Sequence, residues 1–265
     1  QNKSVALRDA SVREALSVAI NKPALIEENL SGFGVPITGP ISDLGSTLES
    51  EEGSLGATTT KDAATILNEG GWVKNNLGLL EKQVDGSAET LSFTLRTSNA
   101  SLLTQVSEQL VEDWKAVGAD VAIEQFEQTD LLQSVIRPRD FEALLFGIDM
   151  NRSLDLYPFW HSSQKDDPGL NIAQYTNLSV DALLEQARTQ KDETERKRIL
   201  HEADALIASE NPALFLFRPK MNYVVKSDIV INELPAIARS SDRFSTIDSW
   251  YTSSDTLWNV FKNKN

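Results

Sequence analysis

The stretch Phe141–Asn177 reads FEALLFGIDMNRSLDLYPFWHSSQKDDPGLNIAQYTN. It opens on an apolar run, Phe141, Ala143, Leu144, Leu145 and Phe146, and such a run reads as a buried strand. The run breaks at Gly147 and sets Asp149 just past the strand end. Tyr157, Phe159, Trp160 and His161 follow within one short segment. A carboxylate at a strand end, beside clustered aromatics, is how a cleft for a small polar ligand is commonly built. The plainer alternative has Asp149 capping the next helix and the aromatics filling the core.

Working outward, helices alternate with strands. Ser11-Val12-Arg13-Glu14 has the form of a capping box. It opens a helix carrying Val12, Ala15, Leu16, Ala19 and Ile20. A second short helix starts near Pro23. Residues 31–40 are a Gly- and Pro-rich loop, and 42–59 continue as acidic loop. Thr60 caps a helix that Gly70-Gly71 stops. Residues 73–89 read as a surface hairpin or loop. Leu91–Thr97 and Val121–Phe126 alternate as half-buried strands, flanking the strongest helix, Asn99–Val117. Thr129 caps a short helix to Ile136. Ser179–Arg188 and Asp192–Ser209 are helices, and Leu214–Phe217 and Tyr223–Val225 read as strands. This order predicts an α/β fold with a mixed sheet flanked by helices. After residue 218 the chain becomes polar yet carries Phe244, Trp250, Tyr251, Trp258 and Phe261, aromatics that need a surface to bury them.

Composition narrows the partners. The chain has 265 residues, with 25 Lys and Arg against 39 Asp and Glu, a formal charge of −14. That balance argues against nucleic acid and anionic membranes as main partners. There is no cysteine, so disulfides, zinc–thiolate sites and cysteine nucleophiles are excluded. The two histidines, His161 and His201, are far apart in sequence, which makes a His-rich metal site a poor reading. No apolar stretch reaches the roughly 20 residues of a membrane span.

Seven segments, in order, resemble one family. They are VREALSVAINK (Val12–Lys22), GFGVP with Gly39-Pro40 (from Gly32), AATILNEGGW (Ala63–Trp72) and the helix, glycine and strand of Leu102–Val121. The remaining three are FGIDMNRSLDLYPFWHSSQ (Phe146–Gln164), the set Asn171, Tyr175, Asn177 and Asp181, and Pro212–Phe217. Together they are similar to the peptide-type solute-binding proteins of ABC transporters, family 5, which include dipeptide-, oligopeptide- and nickel-binding proteins. The resemblance covers roughly residues 5–226. It implies a type II periplasmic-binding fold, with 1–218 as the C-terminal lobe and 219–265 as a tail returning to an N-terminal lobe absent from this chain. It also implies an extracytoplasmic monomer that captures short peptides or similar small solutes and hands them to ABC-transporter membrane subunits, without cofactor, metal or catalysis.

In that family a strand-end aspartate pairs with the peptide ammonium, and Asp149 stands at the matching place; a buried charge must be paired. Phe146 stacks on ligand, or fills core. Gly147 lets a ligand backbone approach closely, or kinks the strand. Trp160 walls the cleft and His161 donates a hydrogen bond to ligand, or both pack between helices; Tyr157 is a further ligand-binding candidate. The family's Asp-Pro pair is missing, for Met150, Asn151 and Arg152 follow Asp149, and Asn151 is the polar candidate there. That departure keeps other ligands open, namely a nickel chelate, an opine or an oligosaccharide. A stand-alone interaction module docking through Trp250 and Trp258 is a further reading. Ser162, Ser163, His161 and Asp155 invite a hydrolase reading, but no nucleophile-elbow G-x-S-x-G occurs. Arg137-Pro138-Arg139 reads as a solvated turn that could otherwise meet a peptide carboxylate.

Overall fold

The computed structural model describes residues 4–41, 62–149, 154–231 and 240–252. The chain divides into two compact units. One comprises Gln1–Ile148 and Asp155–Lys220, the other Asp149–Leu154 and Met221–Asn265.

In chain order the first unit begins α1 (Ala10–Ala19), α2 (Lys22–Leu30), β1 (Gly34–Pro36), α3 (Ala63–Glu69), β2 (Val73–Lys74), β3 (Leu80–Val84) and β4 (Ser87–Thr90). It continues β5 (Ser92–Ser98), α4 (Ser101–Ala116), β6 (Asp120–Phe126), α5 (Gln128–Asp130), β7 (Ala143–Leu144) and α6 (Tyr157–Trp160), and ends α7 (Leu178–Thr189), α8 (Glu193–Glu210) and β8 (Phe217–Pro219). The second unit holds β9 (Ile229–Val230), paired antiparallel with β10 (Tyr251–Thr252). Both sheet types occur, as the alternation predicts, but in separate sheets: β6-β5-β7 is parallel and β2-β3-β4 is an antiparallel meander.

The β5–α4–β6 crossover forms the centre of the first unit. Parallel strands need a long connection, and α4 supplies it. Phe93, Leu95 and Thr97 alternate onto the buried face of β5. Val106, Leu110, Val111 and Trp114 form the buried stripe of α4 and meet that face. The Trp114 ring lies 5.6 Å from Phe93, and its indole N–H donates to the Leu16 carbonyl at 3.0 Å. Gly118 then ends the helix at φ +99°, where a Cβ would stand 3.1 Å from Leu80. Left-handed backbone and crowding together require glycine there.

Local chemistry corrects several sequence expectations. The cap of α1 is Asp9, not Ser11: its carboxylate accepts from Ser11 N at 3.0 Å and Ser11 Oγ at 2.8 Å. A carboxylate wins because it also takes the Trp72 indole at 3.1 Å and the Lys82 ammonium at 2.7 Å. Asp62 caps α3 through Thr65 N; Thr60 lies outside the described residues. Glu127 precedes α5, which runs into a π-helical turn, Leu131–Ile136. The Phe141 run yields only a two-residue, half-buried strand, because β7 is the sheet edge. The return strand shifts to Phe217–Pro219, pairing with β1. Residues 223–225 form no strand.

Burial pushes the Asp9 carboxyl up, but the hydrogen bonds from Lys82, Ser11 and Trp72 outweigh this and hold its pKa at about 2. A carboxylate depressed from 3.8 stabilises the fold fully above that value and loses the effect as pH falls to about 2. Asp9→Asn is therefore expected to lower Tm at neutral pH. The gap to wild type should close between about pH 4 and pH 2; thermal melts across that range check it.

Candidate functional site

In open α/β sheets, ligands bind outside the carboxyl ends of the parallel strands. Here those ends are Ser98, Phe126 and Leu144, followed by Asn99, Glu127 and Leu145. The β5–β7 pairing is held one step further by Leu145 N donating to Arg96 O at 2.9 Å. Thr97, fully buried, donates its hydroxyl to Leu145 O at 3.0 Å. Arg96, on β5, is held from the side by β6 and by the chain just before β7. It pairs with Glu124 at 2.7 Å and with Asp140 at 3.1 Å. Burial opposes its charge, but these two carboxylates outweigh burial and keep the guanidinium firmly protonated.

Beyond Leu145 the chain runs on through Phe146, Gly147 and Ile148 without helix or strand. Among the described residues, no hydrogen bond reaches the backbone N–H or C=O of these three. Phe146 is half-buried and Gly147 exposed; Ile148 is 43% exposed. A Cβ built on Gly147 meets nothing within 4 Å. The edge thus offers main-chain donors and acceptors beside open space, which suits an extended ligand backbone.

The aromatic–histidine segment has a different environment. Trp160 is 5% exposed. Its ring meets Tyr175 edge-on at 6.1 Å and Phe215 at 5.7 Å. Tyr157 stacks on His161 at 4.1 Å, and the Arg188 guanidinium lies 3.8 Å from the Tyr157 ring. Arg188 in turn pairs with Asp155 at 2.6 Å. Asn171, fully buried, donates to the carbonyls of His161 and Tyr175 and accepts from Tyr175 N. Asp181 accepts from Ser162 N at 2.8 Å and Ser162 Oγ at 2.5 Å. The segment is thereby fastened onto α7.

His161 is also occupied. Its Nδ1 accepts from the backbone N–H of Ser163 at 3.1 Å, which fixes the proton on Nε2. That nitrogen has no hydrogen-bond partner and lies 3.4 Å from Glu185 and 3.9 Å from Asp181. The Ser163 hydroxyl, 2.8 Å from Nδ1, competes with the backbone N–H for one lone pair, and Asp155 faces Arg188 instead of the imidazole. This is not the relay a serine nucleophile needs. A surface recess nearby, lined by Ser162, Lys165, Thr176, Asn177 and Leu178, contains no ionisable group except exposed Lys165 and the already bonded Asp181.

Asp149 is exposed and belongs to the second unit by packing. Asn151 lies outside the described residues. Within the second unit, Tyr223, Phe244 and Trp250 form a ring cluster with centroids 6.0–6.2 Å apart. Trp258 and Phe261 lie outside the described residues. The Arg137–Arg139 turn is not simply solvated. Arg139, at φ +56°, donates to the carbonyls of Ile136, Lys165 and Gly169 and so clamps the 165–169 loop. Among the described residues, no group of three His, Asp or Glu is placed to hold a metal.

Two edge residues escaped the sequence reading. Asn99, read there only as a helix start, donates its backbone N–H to Phe126 O at 2.9 Å and its side chain to Glu127 at 2.6 Å. The available signal was position: each is the first residue after a strand.

The family model described as "Bacterial extracellular solute-binding proteins, family 5 Middle" matches residues 1–169. The oligopeptide-binding protein AppA of Bacillus subtilis is 27% identical over 231 residues, covering 86% of this chain and 42% of that protein. The nickel-binding protein NikA of Staphylococcus aureus is 23% identical over 208 residues, covering 78% and 39%. The chain thus spans less than half the length of these curated relatives. The solved structure of AppA with a nonapeptide matches at TM-score 0.72 and 24% identity, over 95% of this chain and 49% of that one. NikZ from Campylobacter jejuni with Ni(L-His) matches at 0.66 and 22%, over 82% and 43%. These likenesses establish the type II periplasmic-binding fold. With 169 residues under the family model, the chain belongs to the bacterial extracellular solute-binding proteins of family 5.

Proposed function

We propose that this chain forms one lobe of the substrate-binding component of an ABC importer, and that the solute is a short peptide. The observation carrying this is the Phe146–Ile148 edge. Its backbone donors and acceptors lack described partners, and its central residue has no side chain. A peptide is the ligand whose own repeating amides match such an edge, with pockets alongside for its side chains. Residues 1–218 form the lobe and 219–265 the tail that joins a second lobe; the break in packing after Lys220 supports that division. Asp149, the strand-end carboxylate that the family resemblance singles out, is the proposed partner of a peptide ammonium. The protein acts outside the cytoplasm, as a monomer, and catalyses nothing.

The nickel-named relatives favour a second reading, a metal chelate as solute. Native mass spectrometry of the protein purified from its host separates the two. Co-purified masses matching peptides are expected. A nickel-containing chelate in their place would replace the peptide reading.

A further inference from the structure

We infer that Thr97 is a positioning residue for the binding edge, its hydroxyl fixing where Phe146–Ile148 leaves the sheet, an inference that rests on the peptide reading above. Strand β7 is too short to hold that edge by itself. Its ladder with β5 pairs Ala143 with Leu95 and Leu144 with Arg96, extended by the bond from Leu145 N to Arg96 O at 2.9 Å. Side chains fasten the rest. Where the chain enters β7, Glu142 accepts from Thr94 N at 2.7 Å, and Arg96 donates to the carbonyl and the carboxylate of Asp140. Where it leaves, Thr97 Oγ1 donates to Leu145 O at 3.0 Å.

That last bond replaces a rung of the ladder. In parallel pairing a residue donates to one neighbour and accepts from the residue two further along the same strand. Leu145 N donates to Arg96 O, so the regular donor to Leu145 O would be the backbone N–H of Ser98. The Thr97 hydroxyl takes that carbonyl instead, and the next three residues run on without described main-chain partners. Thr97 is fully buried and alternates with Phe93 and Leu95 on the covered face of β5. A valine would match its shape there, whereas a buried hydroxyl costs stability unless it is bonded. Its bond goes to the last carbonyl before the free edge. Without it, Leu145 O is a buried acceptor lacking that donor, and the edge is released into other arrangements. Ligand binds only the molecules whose edge is in place, so apparent affinity falls with that fraction.

The test uses the full-length protein with two substitutions. Thr97→Val keeps the shape and removes the hydroxyl; Thr97→Ser keeps the hydroxyl and removes the methyl. Both are expected to lower Tm, the first through an unsatisfied carbonyl and the second through a small cavity. Affinity separates them. Titrated with alanine peptides of three, five and nine residues, Thr97→Val is expected to bind about tenfold more weakly than wild type, and Thr97→Ser to stay within about twofold. Equal affinities for wild type and Thr97→Val would overturn the role of Thr97 and leave the peptide reading standing. A tenfold loss in Thr97→Ser would overturn it too, whether or not Thr97→Val folds, because the hydroxyl is still present and affinity would then merely follow Tm. Failure of every peptide to bind wild type would sink the peptide reading, and the role of Thr97 with it.

Discussion

Gly147→Leu is expected to weaken peptide binding about ten- to a hundredfold while leaving Tm within about 2 °C of wild type. The asymmetry follows from the surroundings of Gly147. Its φ is outside the left-handed region, so an L side chain strains nothing in the backbone. A Cβ there meets nothing within 4 Å, so the protein itself has no clash to relieve. Exposed substitutions of this kind shift stability by about 0.5 kcal/mol or less. The branched side chain instead fills the space where a ligand backbone would come close. Overpacking costs about 1–3 kcal/mol, and each 1.4 kcal/mol is about tenfold in affinity. Titration calorimetry and a thermal melt on one preparation check both halves. Unchanged affinity would mean that the ligand passes elsewhere.

Trp160→Ala carries the opposite expectation, a large loss of stability. The ring is 5% exposed and packs against Tyr175 and Phe215. Truncating such a residue leaves a cavity and costs about 3–5 kcal/mol. For a domain of this size that lowers Tm by roughly 10 °C. Trp160→Phe, which keeps most of the aromatic contact, should lose much less. A variant with wild-type Tm but no ligand binding would instead make Trp160 a wall of the site.

How far the sequence carried the structure differs by element. The β5–α4–β6 crossover was legible because its signals are local and strong. Phe93, Leu95 and Thr97 alternate, Val106, Leu110 and Trp114 repeat at helical spacing, and Gly118 marks the stop. Capping was harder to read. Ser11 and Asp9 both suit the start of α1, and the choice was made by Trp72 and Lys82, more than sixty residues away. The Phe141 run looked like a buried strand because its composition is apolar. Its place at the sheet edge depends on which strands pair, and apolar periodicity does not encode that. At the candidate site, Gly147 was legible as a break in the run. The Asn99–Glu127 pair was not, because strand register brings the two together and neither residue type announces it.

The most direct test of the account is hydrogen exchange followed by mass spectrometry, with and without peptide, on a fragment covering Leu145–Asp149. The amides of Phe146, Gly147 and Ile148 have no described acceptor, so they should exchange fast in the free protein. If a peptide main chain binds along this edge, their exchange should slow on addition of ligand, and more than that of any surface segment away from the sheet end. Protection elsewhere in the protein, with no change across Leu145–Asp149 at saturating peptide, would contradict the account.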